Sequence, residues 1–416
     1  MRHRLNLIVF AGALLAAAYV ARRVLAEDQP VRVGVLHSLT GTMAISEKSL
    51  VEAAQLAIDE VNAAGGVLGR PVEAVVADGQ SDPDVFAREA ERLVRDLHVA
   101  AVFGCWTSGS RKTVKPVIEK YNHLLFYPLQ YEGLEESPNI VYLGASPNQQ
   151  IIPALKWVLG NIGRRVFLVG SDYVFPRAAN AIIRDQLARW RGEVVGEEYV
   201  RLGGRDMAGA VRAIAASRPD AILNTLNGDS NIAFFDALRE AGITPARMPT
   251  MSFSLAEEEL RSLPRAEMAG DYAAWTYFQS LESPVNDTFV RAFKRRYGDE
   301  RVTDDPIEAA YVAVKLWAQA VEAAGTVDVG AVRRAIVDRS FRGPGGMVYV
   351  DGENRHAWKT VRIGRIRADG QFDIVWDSAR PVQPEPFPAG RTKAQWKAFL
   401  EDLYRQWGSR WYNAGD

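Results

Sequence analysis

Cysteine is almost absent: Cys105 is the single one in the chain, so no internal disulfide can form and the fold must rest on its core. Histidine is scarce as well. His3, His37, His98, His123 and His356 include neither an i, i+4 pair nor an H-E-x-x-H pattern, which excludes a zinc site of the usual spacing. Neither sign of charge dominates, since 50 Lys and Arg face 51 Asp and Glu for a net charge of −1. A nucleic-acid partner needs a basic footprint, so none is expected. No cofactor is expected either. The one segment with a phosphate-cradle rhythm, GCWTSGSRK, places Ser110 and Arg111 between its second glycine and Lys112, whereas the cradle needs lysine directly after that glycine.

What is present describes a globular chain, 48% hydrophobic and 24% charged. Its 416 residues exceed what one hydrophobic core usually serves, so two lobes are expected. The start is distinctive: basic MRHR, then the apolar run LNLIVFAGALLAAAYVA, then VLA before Glu27. This pattern predicts a secretory signal over residues 1–26, cleaved after Ala26. An uncleaved anchor is the alternative, because Arg22 and Arg23 are unusual near a cleavage site and the run nearly reaches spanning length. No cysteine lies near Ala26 to carry a lipid.

From residue 31 onward β-branched runs alternate with segments of helical periodicity. VRVGVLHS, PVEAVVADG, VAAVFG and LLFYP read as strands, with helices between them at residues 48–64, 83–97 and 112–121. The pattern then restarts with RRVFLVGSD, EVVGEEYV, AILNTLNG, MPTMSFS and AGDYAAWTYF. Two α/β halves in tandem, each a parallel sheet flanked by helices, are the predicted fold class. Ligands in such folds bind beyond the carboxyl ends of the strands, which directs attention to the loops there.

The segment VFGCWTSGSRK, residues 102–112, is the richest of these loops. Cys105 as a nucleophile would need a base and a residue to orient it, and no such context is evident. A small apolar filler at a strand end is the simpler role. Trp106 can instead supply a flat wall, and Thr107 and Ser108 supply hydroxyls. Arg111 and Lys112 are expected to start a helix and face solvent or a neighbouring carboxylate. Tyr127, Gln130, Tyr173, Phe175, Asn227 and Asp229 follow other strands. Core packing is the competing use for the aromatics, and helix capping or turns for Asn and Asp. Taken together the set is rich in aromatic walls and uncharged hydrogen-bonding groups, with a few carboxylates, and it suits a small, neutral, planar molecule with several N–H donors. Asp305, before Pro306, reads as a helix cap.

GCWTSGSRK, LLFYPLQYEG, SPNIVYLGASPNQQ, GSDYVFPR, NTLNGDSN, AEEE, AAWTYFQS and TDDPIEAAY together resemble the urea and short-chain-amide branch of the type I periplasmic solute-binding proteins. These are receptors of branched-chain-amino-acid-type ABC transporters. The resemblance runs from about residue 31 to 386. It implies two lobes joined by three crossovers that close on ligand in the cleft between them. Lobe 1 would comprise residues 27–148 and 274–345, and lobe 2 residues 149–273 and 346–390. Residues 391–416 would form a helical extension outside the pattern. It also implies a non-enzymatic receptor that delivers a small neutral amide, urea preferred, to membrane permease subunits from the periplasm. Trp106, Thr107, Ser108, Tyr127 and Gln130 would line the pocket from the first lobe, and Tyr173, Phe175, Asn227 and Asp229 from the second. The related amide-sensing regulators carry tyrosines where this chain has Trp106 and Phe175, and a TPY-like segment where it has LQY. Those departures point to urea rather than acetamide. A sensor feeding a membrane histidine kinase is the second reading, and an amidohydrolase using Cys105 the third.

Overall fold

The computed structural model describes residues 29–414; the predicted signal over residues 1–26 lies outside them. The first lobe begins with β1 (Val31–His37), α1 (Ala44–Ala63), β2 (Val72–Asp78), α2 (Pro83–Glu91) and β3 (Val102–Gly104). It continues through α3 (Ser108–Lys120), β4 (Leu125–Tyr127) and β5 (Ile140–Tyr142). The strands form one parallel sheet ordered β2-β1-β3-β4-β5. Helices cover both faces of such a sheet, so its strands are apolar nearly throughout rather than alternating. In β1 only Arg32 is exposed.

The second lobe holds α4 (Ile151–Asn161), β6 (Arg165–Ser171), α5 (Val174–Trp190), β7 (Glu193–Val200) and α6 (Ala208–Ser217). It goes on through β8 (Ala221–Thr225), α7 (Ser230–Glu240), β9 (Thr250–Ser252), the short α8 (Glu257–Leu260) and β10 (Tyr272–Trp275). The chain returns to the first lobe for α9 (Pro284–Tyr297), α10 (Asp305–Ala324), α11 (Val329–Ala335), β11 (Ser340–Gly343), β12 (Gly346–Val350) and β13 (Ala357–Trp358). It crosses a last time to β14 (Arg362–Ile366) and β15 (Phe372–Asp377), and α12 (Lys393–Gln406) follows. The second sheet runs β15-β14-β10-β9-β8-β6-β7, antiparallel only where β14 joins β10 and β15 joins β14.

The predicted return to lobe 2 at residue 346 is displaced in the structure. Gly343-Pro344-Gly345-Gly346 makes a tight reversal, with Gly346 at φ +116°, a conformation open to glycine. β12 therefore folds back onto β11, and β13 onto β12. His356 bridges Tyr142 of β5, and Val348, Val350 and Ala357 pack with Trp317 in the first lobe's core. The crossing falls after β13. β10 runs through Trp275, past the expected switch at 274.

Three crossovers thus join the lobes, and hydrogen bonds tie them together. Gln149 Nε2 donates to Ala357 O at 2.9 Å and Val382 O at 2.8 Å. Asp305 accepts from Thr276 N–H at 2.9 Å and from the Thr276 hydroxyl, while Lys359 Nζ sits 3.2 Å from Glu308 and 3.9 Å from Asp305. Asp305 is therefore a pin between crossovers. The cap of α10 is its neighbour Asp304, which accepts from Ile307 N–H at 2.9 Å, a correction to the expected assignment. Likewise α3 starts at Ser108 rather than 112, because the Thr107 hydroxyl caps it by accepting from Ser110 N–H at 3.0 Å.

Gly144 in the first crossover has no room for a side chain: a Cβ would lie 1.8 Å from the Leu129 carbonyl. Gly144→Ala must displace the Leu129–Gln130 backbone, and an expected loss of about 1–3 kcal/mol follows. Guanidinium chloride unfolding measures it; an unchanged midpoint would show that the crossover yields freely.

Candidate ligand-binding cleft

The carboxyl ends of both sheets meet across the cleft, and their loops already touch. Trp106 Nε1 donates to Asn227 Oδ1 at 3.3 Å. Gln130 Nε2 donates to Phe253 O at 3.0 Å and Ser254 Oγ at 3.2 Å. The Thr42 hydroxyl donates to Asp229. Each bond joins one lobe to the other, so the cleft is closed.

The residues expected at the site divide into groups. Trp106, Tyr127, Gln130, Tyr173, Phe175 and Asn227 are all buried along this interlobe seam. Tyr127 donates its hydroxyl to Trp106 O at 2.6 Å and thereby fixes the loop that carries the indole. Asn227 receives a further hold, its N–H donating to Ser171 Oγ at 3.0 Å. Asp229 stands half-buried at the rim beside Thr42. Ser108 departs from expectation: its hydroxyl donates to Glu132 and accepts from Arg111 Nη1 at 3.1 Å, so it turns into an ionic cluster and away from the cleft. A cavity of about 220 Å³ adjoins the seam. Of the nine expected residues, Thr107 and Tyr173 line it; Ser38, Thr42, Tyr412 and Asn413 line it too.

The ionic cluster explains why the loop sits where it does. Arg111 is completely buried. Its Nε donates to Glu135 at 3.0 Å, its Nη2 to Glu132 at 3.3 Å, and its guanidinium packs over the rings of Tyr127 and Tyr131 at 4.7 and 4.3 Å. Lys112 Nζ adds a 3.0 Å bond to Glu135. Burial alone would raise the Glu135 carboxyl, but Arg111 and Lys112 beside it hold it well below the usual carboxylate range. Arg111 and Lys112 thus face carboxylates, not solvent. Cys105 is fully buried, and burial pushes its thiol far up, so it stays protonated and unsuited to nucleophilic attack.

Two features escaped the sequence reading. Gln150 Nε2 donates to Phe253 O at 3.1 Å and Ala274 O at 2.7 Å, next to Gln130. The side-chain oxygens of both glutamines are buried without a partner among the described residues. The other is an acidic group at the seam formed by Glu257, Glu258 and Glu259 of α8 with Asp304 and Asp305. Burial pushes the Glu257 carboxyl up to about 8, against an ordinary 4.5, and raises Glu259 and Asp304 as well. The EEE run was visible in sequence, but nothing in it signalled burial.

Two α/β lobes joined by three crossovers and meeting across a closed cleft have the architecture of a solute-binding receptor. Residues 31–393 match the family described as periplasmic binding protein domain, and the chain belongs to that family. It is 22% identical over 398 residues to Leu/Ile/Val-binding protein homolog 7 of Brucella melitensis biotype 1, covering 91% of this chain and 97% of that one. A solute-binding protein from Rhodopseudomonas palustris BisB5, in complex with 3,4-dihydroxybenzoic acid, superposes with a TM-score of 0.77 at 21% identity, over 85% of this chain and 98% of that one. LivJ from Streptococcus pneumoniae, in complex with isoleucine, gives 0.75 at 21%, over 86% and 100%. A protein called limonene hydroxylase from Geobacillus stearothermophilus is 34% identical over 141 residues, but this chain spans only 26% of its length and the match covers 32% of this chain.

Replacing Arg111 by Met removes the main partner of two buried carboxylates, and an expected loss of about 3–5 kcal/mol follows. Guanidinium unfolding reads it, and a loss under about 1 kcal/mol would show that Lys112 suffices. Because Glu257 holds a proton in the folded state that the unfolded chain releases, its stabilising effect is full below about 4.5 and is lost as pH rises towards about 8. Glu257→Gln is therefore expected to flatten the fall of Tm between pH 5 and 8; parallel slopes would exonerate this residue.

Proposed function

We propose that the protein is an extracytoplasmic receptor of an ABC transporter that captures urea or a short-chain amide by lobe closure and hands it to membrane permease subunits. The observation that carries this reading is the pair of buried, unpartnered carbonyl oxygens on Gln130 and Gln150 at the interlobe seam. A buried acceptor calls for a donor, and urea offers four N–H groups. Trp106, Tyr127, Tyr173 and Phe175 supply buried aromatic surface in the two lobes, and the polar groups of Asn227 and Thr107 are neutral. Arg111 and Lys112 are engaged by Glu132 and Glu135, so neither is free to meet the carboxylate of an amino acid or a benzoate. Arg201 at the cavity edge is exposed. The cavity of about 220 Å³ beside the seam, lined by Thr107 and Tyr173 but by neither glutamine, falls under the ~300–1,000 Å³ of pockets for drug-sized ligands. The buried thiol of Cys105 argues for binding rather than amide hydrolysis, and the family supports export to the periplasm.

Calorimetry with urea, acetamide, formamide, leucine and benzoate tests the proposal. Urea should bind one to one, and Gln130→Ala should weaken it by roughly tenfold, the size of one buried hydrogen bond. Binding of leucine or benzoate alone would overturn the ligand class.

A further inference from the structure

The segment that follows α12 is held at the mouth of the cleft. α12 itself is anchored by fully buried Trp396, whose indole donates to Pro388 O at 3.1 Å, and by Leu400 in the second lobe's core beside Ile183 and Leu187. Arg391 grips Asp185 of α5 with two bonds of 2.7 and 2.8 Å. From there residues 407–414 turn back to the loop after β6. Val174 N–H donates to Trp411 O at 3.0 Å, and Asn413 N–H to Asp172 O at 3.0 Å. Asn413 Nδ2 donates to Asp172 Oδ2 at 2.7 Å, and Tyr412 pairs antiparallel with Tyr173. The segment thus adds one antiparallel bridge, in an extended pairing, to the loop that carries Tyr173 and Phe175.

Its other side meets the first lobe. Lys112 Nζ lies 4.9 Å from the centre of the Trp411 ring, a cation–π contact. The Trp411 carbonyl also passes within van der Waals reach of Gly109, 3.9 Å from where a Cβ would stand. Tyr404 packs on Trp411 at 4.6 Å and supports the indole from behind. Tyr412 and Asn413 line the same cavity as Thr107, Ser110 and Tyr173. The family match ends at residue 393, ahead of this wall.

We propose that residues 411–413 are a latch: they form a third wall of the ligand chamber, join the two lobes when the cleft is closed, and slow the escape of ligand. Main-chain bonds fasten the segment to the second lobe, so opening parts it from the first. The Trp411–Lys112 contact is the weak link and sets the effect of the latch. Its ligand arm rests on the urea reading; its conformational arm does not.

Both arms use the full chain. For the first, Val76→Cys and Val375→Cys, at exposed positions on opposite lobes, carry spin labels, and pulsed dipolar EPR reads the interlobe distance without ligand. Trp411→Ala should move the distribution to longer distances, Tyr412→Ala should do so in a chain that keeps the indole, and Trp411→Phe should restore the original distribution. For the second, stopped-flow tryptophan fluorescence reads urea release, expected to be roughly three- to tenfold faster in Trp411→Ala, the span of one partly exposed cation–π contact. An unchanged distance distribution, or an unchanged release rate in a chain that binds urea, overturns the latch. Failure of the unmodified chain to bind urea, acetamide or formamide overturns the ligand assignment instead, and the distances still decide the latch.

Discussion

The buried guanidinium of Arg111 is the constraint from which the cleft's first wall follows. A cation without water must have its charge answered and its donors filled, and this one is answered by Glu132 and Glu135 and covered by two tyrosine rings. Those partners lie 21 and 24 residues along the chain, on the loop that follows β4. The ion pairs therefore weld the start of α3 to that loop. Once they are welded, Trp106 and Gln130 have fixed positions relative to each other. A change at Arg111 is a change in the geometry of every residue that this lobe brings to the ligand.

The second lobe is held to the first by weaker bonds. Trp106 to Asn227 and Gln130 to Phe253 are neutral hydrogen bonds of a kind worth about 1 kcal/mol each, and Thr42 to Asp229, to a half-buried carboxylate, is of the ~1.5–3 kcal/mol kind. Such bonds can be exchanged with ligand and water at little net cost, which is what a cleft that must open requires. The crossovers, by contrast, are tied by buried charge around Asp305 and Lys359. Rigid lobes, a firm hinge and a lightly bonded seam are the mechanical conditions for closure about ligand.

Much of this was legible in the residues. The parallel strands announced themselves as short β-branched runs ending in Gly, Ser and Asp, and helical periodicity filled the intervals. The post-strand loops then named Trp106, Gln130, Tyr173 and Asn227 because topology brings those loops to one edge. Three things were not legible. GPGG reads as a turn, but which sheet its second strand joins depends on tertiary pairing that local sequence does not carry. The destination of Ser108 depends on Glu132, a residue distant in sequence whose burial no pattern reveals. The segment beyond residue 393 has a clear amphipathic helix, yet the path of residues 407–414 is decided by backbone bonds to Asp172 and Val174, which any sequence can make.

The placement of charge completes the picture. The strong ionic groups lie behind the seam, Arg111 with its carboxylates in one lobe and Lys359 with Asp305 and Glu308 at the hinge. Apart from the half-buried Asp229 at the rim, which accepts from Thr42, the seam's interlobe hydrogen bonds named above are made by amides, hydroxyls and an indole. Fixed charge pointed into the cleft would attract counter-ions and charged solutes over a Debye length of about 8 Å, and would favour them over neutral competitors. Pairing Arg111, Lys112 and Lys359 with carboxylates internally weakens that field while keeping the rigidity that the pairs confer. The acidic group on α8 obeys the same logic by another route: burial favours the protonated form of Glu257, so it enters the closed state as a neutral acid. Burial thus leaves two kinds of polar group at the closed seam, a protonated acid on α8 and the unpartnered amide oxygens of Gln130 and Gln150, and both can be held without a counter-ion.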